Sequence, residues 1–226
     1  MNNNLLHVAL LASAFLLLFA TAELLYRVFK VKAEVTRKMV HIVTGLLTLL
    51  FPPFIDGHWW VMALCGSFFL ILAVSMRTGW LPSINAVDRV TRGSLLYPVV
   101  VYGCYLAYAH HRDMTLYYIP ILTLAIADPM AAFVGKTFPR GRYVLLGHAK
   151  TLSGSSGFLV AAVLVAVVSF RITTELTVSA MIIPACVIAV VSTLAEAVSH
   201  KGYDNLSIPG VSLAALWLIR YFFHMV

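Results

Sequence analysis

Apolar residues run through this chain in long stretches, broken by short segments where nearly all the charge collects. The stretches cover residues 5–29, 35–55, 59–76, 93–109, 115–134, 154–170, 176–198 and 208–223. A hydrocarbon core about 30 Å thick takes roughly 20 apolar residues per helix. Inside that core every backbone N–H and C=O must find its partner within the protein, which a helix provides by itself. Each stretch therefore predicts a membrane-spanning α-helix. The expected fold is all-α, a polytopic transmembrane helix bundle of about eight spans, with seven as the alternative count. It forms one domain over residues 1–226, since no Gly/Ser-rich linker, low-complexity tract or internal repeat divides it. The first apolar run lacks the basic start and small-residue cleavage site of a signal peptide and is too long for one, so it reads as the first span.

Composition agrees with this pattern. The 226 residues are 61% hydrophobic and 11% charged, with a mean hydropathy of +0.92. A soluble domain carries about 25% charged residues, so too little polar surface exists here to coat a separate water-facing domain. The net charge of +7 does not indicate nucleic acid, because the basic residues flank apolar spans. Thirteen of the sixteen fall on the first, third, fifth and seventh loops. Basic residues mark cytoplasmic loops, which puts those loops in the cytoplasm and both termini outside. The short chain, with no transit peptide, suggests a prokaryotic plasma membrane. Cys65, Cys104 and Cys186 sit in apolar stretches with no CxxC pair, so neither a disulfide framework nor a zinc site is expected.

The chemistry resides in polar residues that lipid should have excluded. A charge near the bilayer centre costs about 3 kcal/mol or more, so those that persist usually pair or work. Arg37 and His41 are four apart on one helical face, with Lys38 beside them and Gly45 a turn further on. For Arg37 and Lys38 the plain alternative is interfacial snorkelling. Asp128 is followed by Pro129, which disturbs the helix; a carboxylate beside a broken helix suits magnesium, or else a structural ion pair. Gly135-Lys136-Thr137 ends like a phosphate-binding P-loop, but Met130 stands where its first glycine belongs. Lys150, Thr151, Ser153, Gly154 and Ser155 precede the sixth span, where backbone N–H groups can face an anion, or where a hydroxyl simply caps the helix. Glu196 is a second acid in an apolar stretch, and Asp204-Asn205 follows in a tight loop. On the third loop, Asp88 and Arg92 are spaced as an ordinary helical ion pair, with Arg92 also a candidate phosphate contact and Arg89 beside it. All of these lie on the basic side. Acids, lysines and hydroxyls at one surface of a lipid-buried bundle suit one task, bringing a magnesium-bound polyphosphate to an alcohol dissolved in the membrane.

Four stretches resemble the CTP-dependent polyprenol, phytol and dolichol kinase family, which includes a CTP-dependent diacylglycerol kinase. Arg37-Lys38-x-x-His41-x-x-x-Gly45 is similar to its RKxxHxxxG. Asp128-x-x-Ala131-x-x-x-Gly135-Lys136 is similar to D-x-x-A-x-x-x-G-[KR]. Lys150-Thr151-Leu152-Ser153-Gly154-Ser155 is similar to KT-[LIV]-x-G-[ST]. Glu196-x-x-Ser199-x-x-Gly202-x-Asp204-Asn205-Leu206-x-Ile208-Pro209 is similar to the closing pattern. The matches fall in the family's order from the second span to the last. One departure is Ser153, where many members carry Glu.

The resemblance implies transfer of the γ-phosphoryl group of CTP, with Mg²⁺, to a lipid alcohol: phytol, geranylgeraniol, a longer polyprenol or diacylglycerol. Asp128 is then the expected metal ligand, with Glu196 and Asp204 as further candidates. Lys136, Lys150, Thr151, Ser153, Gly154, Ser155, Asp204, Asn205 and Arg92 are expected around the nucleotide. Arg37 and Lys38 would stabilise the transferred group, and Glu196 or His41 would serve as base. The expected partners are a nucleoside triphosphate, the lipid alcohol and membrane lipids, and the sequence sets no oligomeric state. Two other classes compete. A CDP-lipid synthase shares membrane, CTP and magnesium, yet only a faint echo of its closing signature (Lys201, Asp204, Pro209, Gly210) is present. A transporter would suit the broken helix at Pro129 but usually carries related halves, which this chain lacks.

Overall fold

The computed structural model describes residues 3–86 and 92–223; Asp88 and Arg89 lie outside the described residues. The chain folds into helical rods joined by short connections. In order these are α1 (Asn3–Arg27), α2 (Ala33–Thr48), the short α3 (Phe51–Phe54), α4 (His58–Thr78), the short α5 (Pro82–Asn85) and α6 (Gly93–His111). A composite rod follows, made of α7 (Thr115–Leu122), a π-helical turn (Thr123–Ala127) and α8 (Asp128–Thr137). The last three are α9 (Leu152–Thr173), α10 (Val178–Val198) and α11 (Asp204–Phe223). Helices stand at each of the expected positions, but they do not bear out the count of eight spans. Five of them, at 3–27, 58–78, 115–137, 152–173 and 178–198, are long and apolar enough to cross a membrane. Helix α2 falls short because it has only 16 residues and opens on Glu34, Arg37 and Lys38.

The surface is that of a protein dissolved in hydrocarbon. Leu17, Leu70, Val160, Ile183 and Leu194 all project outward and exposed from the rods, which in water would form a large apolar patch. The interior holds small and aromatic residues in two clusters. One joins α1, α2, α4, α6 and the α7–α8 rod; the other joins α7, α9, α10 and α11. Small residues allow the closest approaches, as expected where lipid removes the hydrophobic drive between helices. A Cβ added to Gly45 would lie 2.3 Å from the Ala125 Cβ and 2.7 Å from the Tyr97 hydroxyl, so α2 rests directly on the π turn. Overpacking of this kind costs about 1–3 kcal/mol. Gly45→Val is therefore expected to lower the melting temperature in detergent, and an unchanged melt would show that α2 and the π turn are not locked together.

At the end of the bundle away from most of the basic residues, tyrosines close the corner between α2 and α3. Tyr117 donates to the Thr48 carbonyl at 2.8 Å, Tyr105 to Ile55 at 2.6 Å and Tyr118 to Leu49 at 3.3 Å. They satisfy carbonyls that a helix end leaves open. Asp113 caps α7 through the Thr115 N–H at 2.8 Å and forms an ion pair with Arg220 of α11.

One element departs from the all-α expectation. Arg142–Leu145 (β1) and His148–Thr151 (β2) pair antiparallel, Arg142 opposite Thr151 and Tyr143 opposite Lys150. The two residues between them, Leu146 and Gly147, both have positive φ (50° and 79°). That is the requirement of a tight two-residue hairpin turn whose twist matches the strands. The hairpin delivers Lys150 and Thr151 to the start of α9.

Candidate functional site

A single cavity of about 560 Å³ gathers residues from all four motif-like stretches. Its polar end is bounded by Arg37, Lys38, Asp128, Lys150, Glu196 and Asp204. Its other end runs between α1, α2 and α4 and is bounded by Phe15, Phe19, Phe51, Leu64 and Phe68. The face of α2 explains the gradient. Glu34, Arg37, Lys38, His41, Thr44 and Thr48 recur at helical spacing, charged at the start and uncharged at the finish, and Phe51 of α3 follows beyond the corner.

The composite rod positions Asp128. In the π turn each N–H reaches back five residues rather than four, so the Leu124 carbonyl would look to residue 129. Residue 129 is proline and has no N–H. His41 supplies the missing donor: its Nε2 lies 3.0 Å from the Leu124 oxygen. A carbonyl accepts only, so Nε2 carries a proton there. The ring is held edge-on to Tyr97 at 4.9 Å, and Tyr97 donates to the His41 carbonyl at 3.2 Å. Helices α2 and α8 are thereby fixed against each other with the Asp128 carboxylate in the cavity. No described residue hydrogen-bonds that carboxylate, which lies within Coulombic range of Asp204, Glu196, Lys150 and Lys38.

The hairpin and α10 supply a buried ion pair. Lys150 Nζ is 2.5 Å from Glu196 Oε1 and also donates to the Glu196 backbone carbonyl. Glu196 is 7% exposed, and its second oxygen, Oε2, is buried without a hydrogen-bond partner. The Asn205 Oδ1, also lining the cavity, is likewise buried and unpartnered. At the mouth, Lys136 pairs with Glu34, and that ammonium holds the Glu34 carboxyl below the usual carboxylate range.

Several expected residues are placed differently from their sequence reading. Thr151 caps α9, accepting from the Gly154 N–H at 3.1 Å, so that N–H is already committed. Gly154 and Gly135 face each other across the α8–α9 contact: a Cβ on Gly154 would meet the Ala131 carbonyl at 3.0 Å and the Gly135 Cα at 3.3 Å. Both lack a side chain for close packing. Ser155 borders the cavity and bonds the Tyr143 hydroxyl at 2.8 Å. Ser153 turns away and donates to the Phe138 carbonyl. Arg92 also turns aside, its Nη1 2.9 Å from the Tyr203 hydroxyl and its backbone N–H on the Lys201 carbonyl. Asp204 lines the cavity and accepts from the Asn205 N–H at 2.9 Å.

The sequence reading missed two cavity residues, His148 on β2 and His200 after α10. Their rings stack at 4.5 Å and 16°. His200 falls inside the closing motif stretch and His148 two residues before Lys150, but only the hairpin brings them face to face. Glu34 was also missed, although it lies four residues before Lys38 at the helix start.

Magnesium binds through one or two carboxylates together with phosphate oxygens rather than a full protein cage. Among the described residues no three His, Cys, Asp or Glu side chains form such a cage. The donor-free Asp128 carboxylate, with Asp204 in the same cavity, fits the smaller requirement.

Fold and site together define a predominantly helical polytopic membrane protein with a cavity that joins a charged mouth to an apolar end. Over 203 residues, 89% of this chain and 86% of the relative, it is 35% identical to a phytol kinase from Synechocystis sp.. The chain belongs to the phytol kinase family. No family model matches it, and no solved structure does.

Proposed function

We propose that this protein is a lipid-alcohol kinase that transfers the γ-phosphoryl group of CTP to the hydroxyl of an alcohol held in the membrane, with the charged mouth cytoplasmic. The observation that carries the reading is the single cavity in which a cluster of lysines and carboxylates meets an apolar end. Membership of the phytol kinase family makes the chemistry phosphoryl transfer and an isoprenoid alcohol the first acceptor to try. CTP as donor rests on the resemblance of the four stretches, and the eight-span topology on the basic-loop pattern.

Phosphoryl transfer needs positioning and charge neutralisation more than covalent help. Arg37 and Lys38, at the level of Asp128, draw the γ-phosphate toward the apolar end. Lys136 and Lys150 hold the outer phosphates, each restrained by an acid, Glu34 and Glu196. The stacked His148 and His200 offer an edge against which a base can rest. The acceptor hydroxyl attacks phosphorus, its proton passes to Glu196 Oε2, and the bond to the β-phosphate oxygen breaks to release CDP. His41 is the weaker base, because its Nε2 is committed to Leu124. When bound, magnesium would supply charge neutralisation on the phosphates, with Asp128 and Asp204 to hold it, which leaves Glu196 Oε2 to take the proton.

The test is direct. Purified protein in detergent with magnesium and γ-labelled CTP is expected to move label into an added isoprenoid alcohol and release CDP. Label leaving as pyrophosphate only with phosphatidate present would replace the kinase by a CDP-lipid synthase. Binding without turnover on any lipid would favour transport.

A further inference from the structure

The β1–β2 hairpin has two faces, and the cavity accounts for only one of them. Residues paired across the strands share a face, so Tyr143, Leu145, His148 and Lys150 lie on one side. That side is occupied: Tyr143 bonds Ser155, Lys150 pairs with Glu196 and His148 stacks on His200. The opposite side carries Arg142 and Val144, which are exposed and do not border the cavity. A hairpin standing in water shows polar side chains on such a face. This one shows Val144, 71% exposed, and the turn residue Leu146, 67% exposed, with Leu145 between them and Phe138 exposed near its root. Leu146 has a φ of 50°, a left-handed conformation that costs a leucine more than glycine or asparagine. Its side chain nevertheless points outward and packs no core.

Charge sets this surface apart as well. No acidic residue occurs between Asp128 and Glu175. Lys136 and Lys150 are held by Glu34 and Glu196. Arg140 and Arg142 are exposed, lie away from the cavity and have no ion-pair partner among the described residues. The root of the hairpin leads to the lipid-facing surface. The Leu152 N–H bonds the Gly141 carbonyl at 2.9 Å, and a Cβ on Gly141 would meet the Leu152 Cβ at 2.9 Å. Leu152 is the exposed first residue of α9, a helix long and apolar enough to cross a membrane, on which Val160 and Leu164 are also exposed.

We propose that the hairpin is a membrane-docking finger. Val144, Leu145 and Leu146 dip into the boundary between headgroups and acyl chains of the bilayer that holds the bundle. Arg140 and Arg142 bind the phosphates of anionic phospholipids there. An apolar tip flanked by arginines suits that layer, which takes apolar side chains on one side and offers phosphate on the other. Guanidinium groups match phosphate in pairs of hydrogen bonds. The nucleotide is not the source of that phosphate, because neither arginine borders the cavity. Docking on the outer face holds Lys150 and His148 toward α10 on the inner one. It does not depend on which reaction the cavity performs, so its failure leaves the kinase reading untouched.

The test uses the full chain in nanodiscs of phosphatidylcholine, with or without phosphatidylglycerol. A nitroxide is placed on Leu146→Cys in protein carrying Cys186→Ala; the other two cysteines are buried. Its collisions with oxygen, which concentrates in hydrocarbon, are compared with those with a water-soluble nickel chelate. In phosphatidylglycerol the label is expected to favour oxygen as a label on Leu164→Cys does, and unlike one on Lys32→Cys in the exposed α1–α2 connection. Removing phosphatidylglycerol should lower the docked-to-free ratio by about fivefold for each arginine. Arg140→Gln with Arg142→Gln should abolish that lipid dependence. A 146 label as open to nickel as the Lys32→Cys label in both lipids overturns the docking, and an oxygen preference indifferent to phosphatidylglycerol and to both arginines overturns the anionic-lipid contact. Dipolar broadening between labels in densely loaded vesicles would assign the face to a second copy of the chain and overturn the proposal. Wild-type protein gives a check free of substitutions. Phosphatidylglycerol with a photoreactive diazirine high on its acyl chain is expected to attach within 138–146, and attachment confined to helix faces such as Leu17 and Leu70 overturns the finger.

Discussion

Asp128→Asn is expected to reduce phosphoryl transfer by about a thousandfold while the protein still inserts and melts at or above the wild-type temperature. Asparagine keeps the size and shape of the side chain, so the start of α8 and the Pro129 break are undisturbed. What it removes is one negative charge from a group that has no hydrogen-bond donor among the described residues and faces the carboxylates of Asp204 and Glu196. Asp204 and Glu196 repel that charge and Lys150 and Lys38 offset only part of the repulsion and of the cost of burial, so losing it relieves the folded state. Under turnover the same charge has a cationic partner to hold, and a thousandfold loss corresponds to roughly 4 kcal/mol of transition-state stabilisation. Falling activity with rising or constant stability is the signature of a residue kept for chemistry. Near-normal turnover in Asp128→Asn would remove this carboxylate from the mechanism.

Lys150→Met is expected to act in the opposite way, through the fold first. The Lys150–Glu196 pair is largely enclosed, its side chains 19% and 9% exposed. Removing one partner of a buried pair leaves the other charge stranded and costs about 3–5 kcal/mol. For a protein of this size that lowers the melting temperature by about 10 °C. The double variant Lys150→Met with Glu196→Gln should recover most of that loss, because no charge remains unpaired, yet stay inactive. Thermal melts of the three proteins in one detergent read the cycle directly. A single variant that melts like wild type would mean that the pair does not brace the hairpin to α10.

Much of this was legible in the sequence. The rods follow from uninterrupted apolar runs, which leave a helix no competing arrangement in lipid. Asp128 and Glu196 stood out because an acid has no other reason to sit in such a run, and Pro129 marked a break. Other features depend on tertiary packing. The π turn is one: proline at 129 announces a disturbed helix, but not that the strain is resolved by an extra residue upstream. The hairpin at 142–151 was hidden because two four-residue strands look like any polar loop when only spans are being sought, and its turn places Leu146 where glycine or asparagine is customary. Ser153 and Arg92 read as phosphate contacts by residue type alone. Their direction is fixed by loop carbonyls and by Tyr203, which lie close only once the chain has folded. The apolar end of the cavity was the least visible feature, since a row of Thr44, Thr48 and Phe51 says nothing about which neighbouring helix it faces.

The contact between His41 and Leu124 also bears on how such a chain can change over evolutionary time. Proline at 129 withdraws a donor and histidine at 41 returns one, across two helices that are distant in sequence. While residue 129 stays proline, histidine at 41 cannot be exchanged without stranding the Leu124 carbonyl inside the bundle. The dependence runs one way, from 41 on 129. A lineage that restored an N–H at 129 would be released from histidine at 41, and drift at 41 would be permitted only through prior change at 129.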